Sequence, residues 1–227
     1  MIRGRLAALA ILAVATVAAV VLVGGCSTTV SGTATWPGAT LDRVALTQGD
    51  FPPGVRYQRM VEDPDTPDGA GGPPPMLSRP AGCSNALTEV IARSAERGPG
   101  SALKYSVSYD GARIVMTVLS WHLDLDRLAA EAARCEHFIT FFDQGSPGIP
   151  ITTTKLPSED QALTYQQTME LSGSRSSIVM AFANVGSLAV FGIAFPTEDS
   201  SIPVKGTLPQ TFLDVFGQQT HRMRSER

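Results

Sequence analysis

The chain holds 227 residues, 43% of them hydrophobic and 17% charged, with 18 basic against 21 acidic side chains and a formal net charge of −3. That is enough chain for a single core of ordinary size. The balance lacks the basic footprint a nucleic-acid binder needs, so no nucleic-acid partner is expected.

Arg3 and Arg5 open the chain, residues 6–23 follow without a charge, and Leu22-Val23-Gly24-Gly25-Cys26 closes the run. The order of basic, apolar and small-residue parts is that of a secretory signal. A cysteine directly after two glycines predicts a bacterial lipoprotein signal peptide over residues 1–25, with the Cys26 thiol alkylated by lipid and the preceding peptide removed. The competing reading is an uncleaved anchor, because about 18 apolar residues are a fair candidate for spanning a bilayer. Both readings put the rest of the chain on the extracytoplasmic side of the cell membrane. Taking 25 residues from 227 leaves 202, and losing Arg3 and Arg5 leaves 16 basic residues against 21 acidic, a formal charge of −5.

Residues 26–40 read as the lipidated cysteine and a Ser/Thr/Gly-rich tether, a flexible coil reaching on the order of 20 Å. Thr28, Thr29, Thr33 and Thr35 are compositional candidates for O-linked sugars. A single α+β domain is expected over residues 41–222, with a frayed basic tail at 223–227. Val44, Ala45 and Leu46 predict a short helix ending before Pro52-Pro53, and residues 55–61 an edge strand. Residues 62–81, rich in Pro, Gly and Asp, predict a long exposed loop.

Cys83 opens a predicted helix with Ser84 or Asn85 as its cap. Residues 103–109 and 112–121 read as strands joined by Asp110-Gly111, a two-residue hairpin signal. The second of these is apolar on both faces and should lie centrally, under cover. A helix capped by Asp124 or Asp126 runs on toward Cys135, then residues 138–142 pass into a loop. Residues 163–171 alternate as a sheet with one wet face does, and residues 178–183 and 188–195 pair around a Gly-containing turn. A last helix starts near Pro209, buries Phe212, Val215 and Phe216, and frays through Arg222 and Arg224. The predicted fold is an antiparallel sheet of about five or six strands with helices packed mainly on one face. With Cys26 committed to lipid, Cys83 and Cys135 are left to pair in an oxidising compartment. Closing that loop of 52 residues is worth roughly 4 kcal/mol in the chain-entropy model.

Phe51-Pro52-Pro53-Gly54 after a short helix, a helix opening at Cys83, the Asp-Gly hairpin and a helix ending at Cys135 resemble the actinobacterial extracellular sensor-domain family. That family includes the sensor of the mycobacterial receptor kinase PknH and a set of stand-alone lipoproteins. The resemblance covers roughly residues 41–219 and implies an α+β sheet with a cleft for an unidentified ligand. The kinase sensor's second disulfide has no cysteines to form here.

No nucleophile elbow, zinc-protease helix, paired CxxC, phosphate loop or calcium loop is present, so neither catalytic residues nor a cofactor is expected. His122, Asp124 and Asp126 are the nearest approach to a metal cluster, against the commoner use of Asp as a helix cap. Glu136-His137, Glu159-Asp160 and His221 are weaker still. Phe138, Phe141 and Phe142 form a dense aromatic run. One wall of a cleft is expected there, between that run, the central strand near Trp121 and the Pro-rich loop, with Tyr109 and His122 fixing a ligand's orientation. The function read from these residues is a lipid-anchored envelope protein that binds a small ligand or partner protein. Its alternatives are a lipid or glycolipid carrier and, behind both, a hydrolase.

Overall fold

The computed structural model describes residues 37–60, 76–94, 100–158, 162–171 and 173–226. These all belong to one compact unit, Thr35–Arg227. The predicted signal peptide, Cys26, the predicted tether up to residue 36, most of the Pro-rich stretch and Glu159-Asp160 lie outside the described residues.

The first helix, α1, is Pro37–Val44, starting four residues before the expected domain boundary. A 3₁₀ turn, Gln48–Asp50, follows and leads to β1, Arg56–Met60, and β2, Leu77–Arg79. Cys83–Asn85 is a 3₁₀ turn, and α2 begins after it at Ala86–Ser94. Strands β3, Ala102–Tyr109, and β4, Ala112–Leu119, flank the predicted Asp110-Gly111 turn. Helix α3 is Leu125–Arg134, with Asp124 as its cap accepting from the Arg127 amide at 2.9 Å. Strands β5 to β9 are His137–Phe141, Ile149–Lys155, Leu163–Leu171, Ser174–Val185 and Leu188–Phe195, and α4 is Gln210–Ser225.

All nine strands form one antiparallel sheet in the order β1-β3-β4-β9-β8-β7-β6-β5-β2. The expected edge strand is at one edge, and β2, its neighbour in sequence, is at the other. The count exceeds the predicted five or six because β2 falls in the predicted Pro-rich loop and β5 and β6 carry no strand assignment in the sequence reading. Their signals are weak: β2 has three residues, β6 carries Pro150 and a run of three threonines, and β5 directly follows a helix.

Helices cover both faces, not mainly one. Leu41 and Val44 of α1 and Phe212, Val215 and Phe216 of α4 pack on Tyr105, Ile114, Met116, Val179, Ala181 and Val190. Leu87 and Ile91 of α2 and Leu128 and Ala132 of α3 pack on the opposite side with Met180, Phe182 and Phe191. The cause is visible in β8 and β9, where successive residues point to opposite faces and both sets are apolar, so each face needs a lid. A third cluster, Phe138, Ile149 and Ile151, surrounds Cys83 and Cys135, which are bonded with Cα atoms 5.4 Å apart.

Helix α4 does not fray at Arg222. It continues to Ser225, Met223 is fully buried, and Arg222 pairs with Asp50. Gln219 anchors the same turn: its side-chain oxygen accepts from the Tyr105 hydroxyl at 2.8 Å and the Leu46 amide at 3.1 Å, and its amide donates to Val44 O at 2.8 Å. A polar side chain with no exposure is stable there because each of its groups is paired. Gly192 lets α4 sit close on the sheet, since a Cβ there would stand 2.6 Å from Met116 Sδ and 2.8 Å from the Phe212 ring.

Candidate functional site

The six residues expected to share one cleft are separated by the fold. Tyr109 is buried at the end of β3 against Gly206, in the cluster under α1 and α4. Burial raises its phenol above the ordinary value, and the charge of Asp214 adds to the rise. Trp121 is buried under α2 and α3 on the opposite face. His122 is exposed and its ring nitrogen meets the Gly186 carbonyl. Beside it the Asn184 side chain closes two 2.9 Å hydrogen bonds with the Leu123 backbone. Phe138 packs in the disulfide cluster, Phe141 is half-buried with the Arg79 guanidinium 5.4 Å from its ring centre, and Phe142 is 70% exposed. Adjacent residues on a strand point to opposite faces, so an aromatic run on β5 cannot form one wall. Asp124 is engaged as a helix cap, and among the described residues no three His, Cys, Asp or Glu side chains are grouped to hold a metal.

The structure places a groove elsewhere. It lies between α4 and the β7–β8 side of the sheet, is bordered by Pro157, Ser158 and Ala162, and holds about 790 Å³. Leu213, Phe216, Ala183 and Ala162 give it apolar surface, while Gln210, Asp214, Gln218 and His221 line it with polar groups. The spacing of Gln210, Asp214, Gly217 and His221 is that of one helical stripe, which is why all four line the same groove. Gln210 donates to Asp214 at 2.8 Å, and Ser158 donates to Ala162 O at 2.5 Å in the loop wall.

Gly217 is the informative residue. A Cβ built there meets nothing within 4 Å, so packing does not require glycine, and glycine in a helix costs about 1 kcal/mol relative to alanine. Its effect is to leave helix backbone open to the groove. From the sequence, Gln210, Asp214, Gln218 and His221 look like an ordinary solvated helix face, and only the Gly within that stripe hinted otherwise. Chemically the site offers amides, hydroxyls, one carboxylate, one imidazole, the Arg224 guanidinium and an apolar floor. That set suits non-covalent recognition.

A second, smaller groove of about 220 Å³ runs between α2 and α3, lined by Glu89, Arg127, Glu131 and Arg134. Arg134 is tied to Glu131 at 2.7 Å and reaches Cys83 Sγ at 3.4 Å, so this space is framed by ion pairing beside the disulfide.

No family model and no curated protein matches the chain. Among solved structures it is similar to a putative uncharacterized protein of Mycobacterium smegmatis (Rv0999 ortholog). The two share 13% identity over 83% of this chain and 95% of that one, with a TM-score of 0.46.

Proposed function

We propose that this chain is a lipid-anchored protein of the cell envelope whose extracytoplasmic domain binds a small ligand, sensor-like and without catalysis, in the groove beside α4. The groove carries the reading. Its volume of about 790 Å³ falls within the range of roughly 300–1,000 Å³ typical of small-molecule sites, with the usual mixture of apolar surface and a few polar groups. The address rests on the Gly24-Gly25-Cys26 signal, and the Cys83–Cys135 bond suits an oxidising compartment. The sensor-domain resemblance points the same way. A lipid or glycolipid carrier is the second reading, favoured by Leu213 and Phe216 in the lining; a long acyl chain calls for more enclosed apolar space than this groove holds.

The test is a groove plug. The Cβ of Gly217→Leu meets no neighbour within 4 Å, and the change should leave the thermal midpoint of the membrane-extracted protein unchanged or slightly higher. It should abolish binding of an amphiphilic probe such as anilinonaphthalene sulfonate. Equal probe binding by both forms would remove the groove from the account.

A further inference from the structure

The sheet carries an unclaimed apolar patch at its β2 edge. Leu77 is 49% exposed, Ile139 41% and Phe142 70%. Leu77 pairs across the ladder with Phe141, and Arg79 with Ile139, so these four side chains share one face of the sheet. Pro150, opposite Ile139, is exposed on that face too. Gly148 lets the patch close up, since a Cβ there would stand 2.4 Å from Ile139 and 3.0 Å from the Phe141 ring. Phe142 follows the last residue of the strand and leads the turn that Asp143 and Ser146 hold by hydrogen bonds at 2.8 to 3.1 Å. A row of large apolar side chains this exposed, rimmed by an arginine, marks a contact surface.

We infer that this patch seats the domain on the phospholipid bilayer, with Leu77 and Ile139 entering the headgroup boundary and Phe142 at the adjoining turn. The inference rests on the lipid-anchor reading, and the length of chain before the domain makes it specific. Cys26 precedes Pro37 by eleven residues, a reach of at most roughly 36–40 Å. Helix α1 packs on β3, six strand positions from β5, a lateral distance of about 29 Å at the usual strand spacing. The anchor can therefore be satisfied while the β5–β2 end touches the membrane. A tether that short holds the patch at millimolar effective concentration near the bilayer, so a surface too weak to bind from solution still engages. The Arg79 guanidinium, stacked over Phe141 at the rim, suits the phosphate layer. The patch shares the α4 face of the sheet: Thr152, Thr168 and Ser177 run in register from it toward the strands under α4. Contact at the patch thus sets the direction in which the α4 groove opens.

The experiment uses the full lipidated chain reconstituted in phosphatidylcholine–phosphatidylglycerol vesicles. Phe142→Cys, labelled with an environment-sensitive dye, reports on the patch. Glu198→Cys, on the exposed loop after β9, is the control. We expect the label at 142 to shift to the blue and to be quenched at least about two-fold by spin-labelled lipid, with the label at 198 unaffected. In the vesicle-bound Ile139→Asp variant the same label at 142 should return to an aqueous spectrum. Protein that floats with the vesicles while the 142 label stays aqueous overturns the membrane contact alone and leaves the patch to a protein partner. Protein that does not float overturns the anchor, and the contact with it.

Discussion

Gln219 joins three separate segments: α4, the chain after α1, and β3. Truncating it leaves the Tyr105 hydroxyl, the Leu46 amide and the Val44 carbonyl without partners in a site closed to water. Gln219→Ala should therefore cost about 3 kcal/mol, read as a lower urea midpoint with an unchanged slope. Nearby, burial alone would raise Asp50, but the Thr47 backbone and hydroxyl and the Arg222 guanidinium outweigh it and hold the carboxyl below its ordinary value of 3.8. Asp110 and Asp199 are lowered as well: Asp110 by hydrogen bonds from Lys205 and the Asp199 amide, Asp199 first by the Ser201 hydroxyl and backbone. A carboxyl lowered in the folded state binds fewer protons there than when unfolded. Its contribution is complete above the unfolded value and is lost as pH falls through the folded one. Stability should accordingly be flat from neutrality to about pH 5 and fall below about pH 4. Asp50→Asn should flatten part of that fall in acid melts; an unchanged profile would mean the Asp50–Arg222 pair contributes nothing.

The disulfide belongs to the β5–β2 end of the sheet, where Phe138, Ile149 and Ile151 make a small cluster around it. Cys83→Ala with Cys135→Ala should cost about 2–5 kcal/mol. Amide exchange in β5 and β2 should rise more than in β4 and β9, which lie between two helix layers. The hairpin at the far end depends on Gly111 instead, at φ +112° with a Cβ position 2.2 Å from the Gly206 carbonyl. Gly111→Ala should destabilise by more than about 2 kcal/mol in the same urea series. These elements also show where a sequence can be read. The β3–β4 hairpin, β7, β8 and β9 were legible because Asp110-Gly111 and long apolar alternation speak locally. Strands β2, β5 and β6 were not, because three residues, a proline or a run of threonines carries too little pattern until a neighbour supplies the ladder. The second helix layer was half legible: apolar residues on both faces of the strand after Asp110-Gly111 implied cover, yet nothing local assigned α2 and α3 to the side opposite α4.

At the scale of the molecule, Tyr109 and Trp121 of the expected cleft fall on opposite faces of the sheet and a groove forms beside α4, for the same reason. A binding groove is made by how two elements are offset, and Gln210, Asp214 and His221 become a lining only because Gln219, Arg222 and Gly192 fix α4 beside β8. The proposed address, by contrast, rests on a local signal, Gly24-Gly25-Cys26. Native mass spectrometry of the membrane-extracted protein probes the proposal of an anchored domain that offers a groove to a small envelope ligand. The predicted spectrum shows a polypeptide beginning at Cys26 with added acyl mass, carrying a non-covalent small adduct that Gly217→Leu loses. A chain that begins at Met1 without lipid, or an adduct that the plugged variant retains, would contradict it.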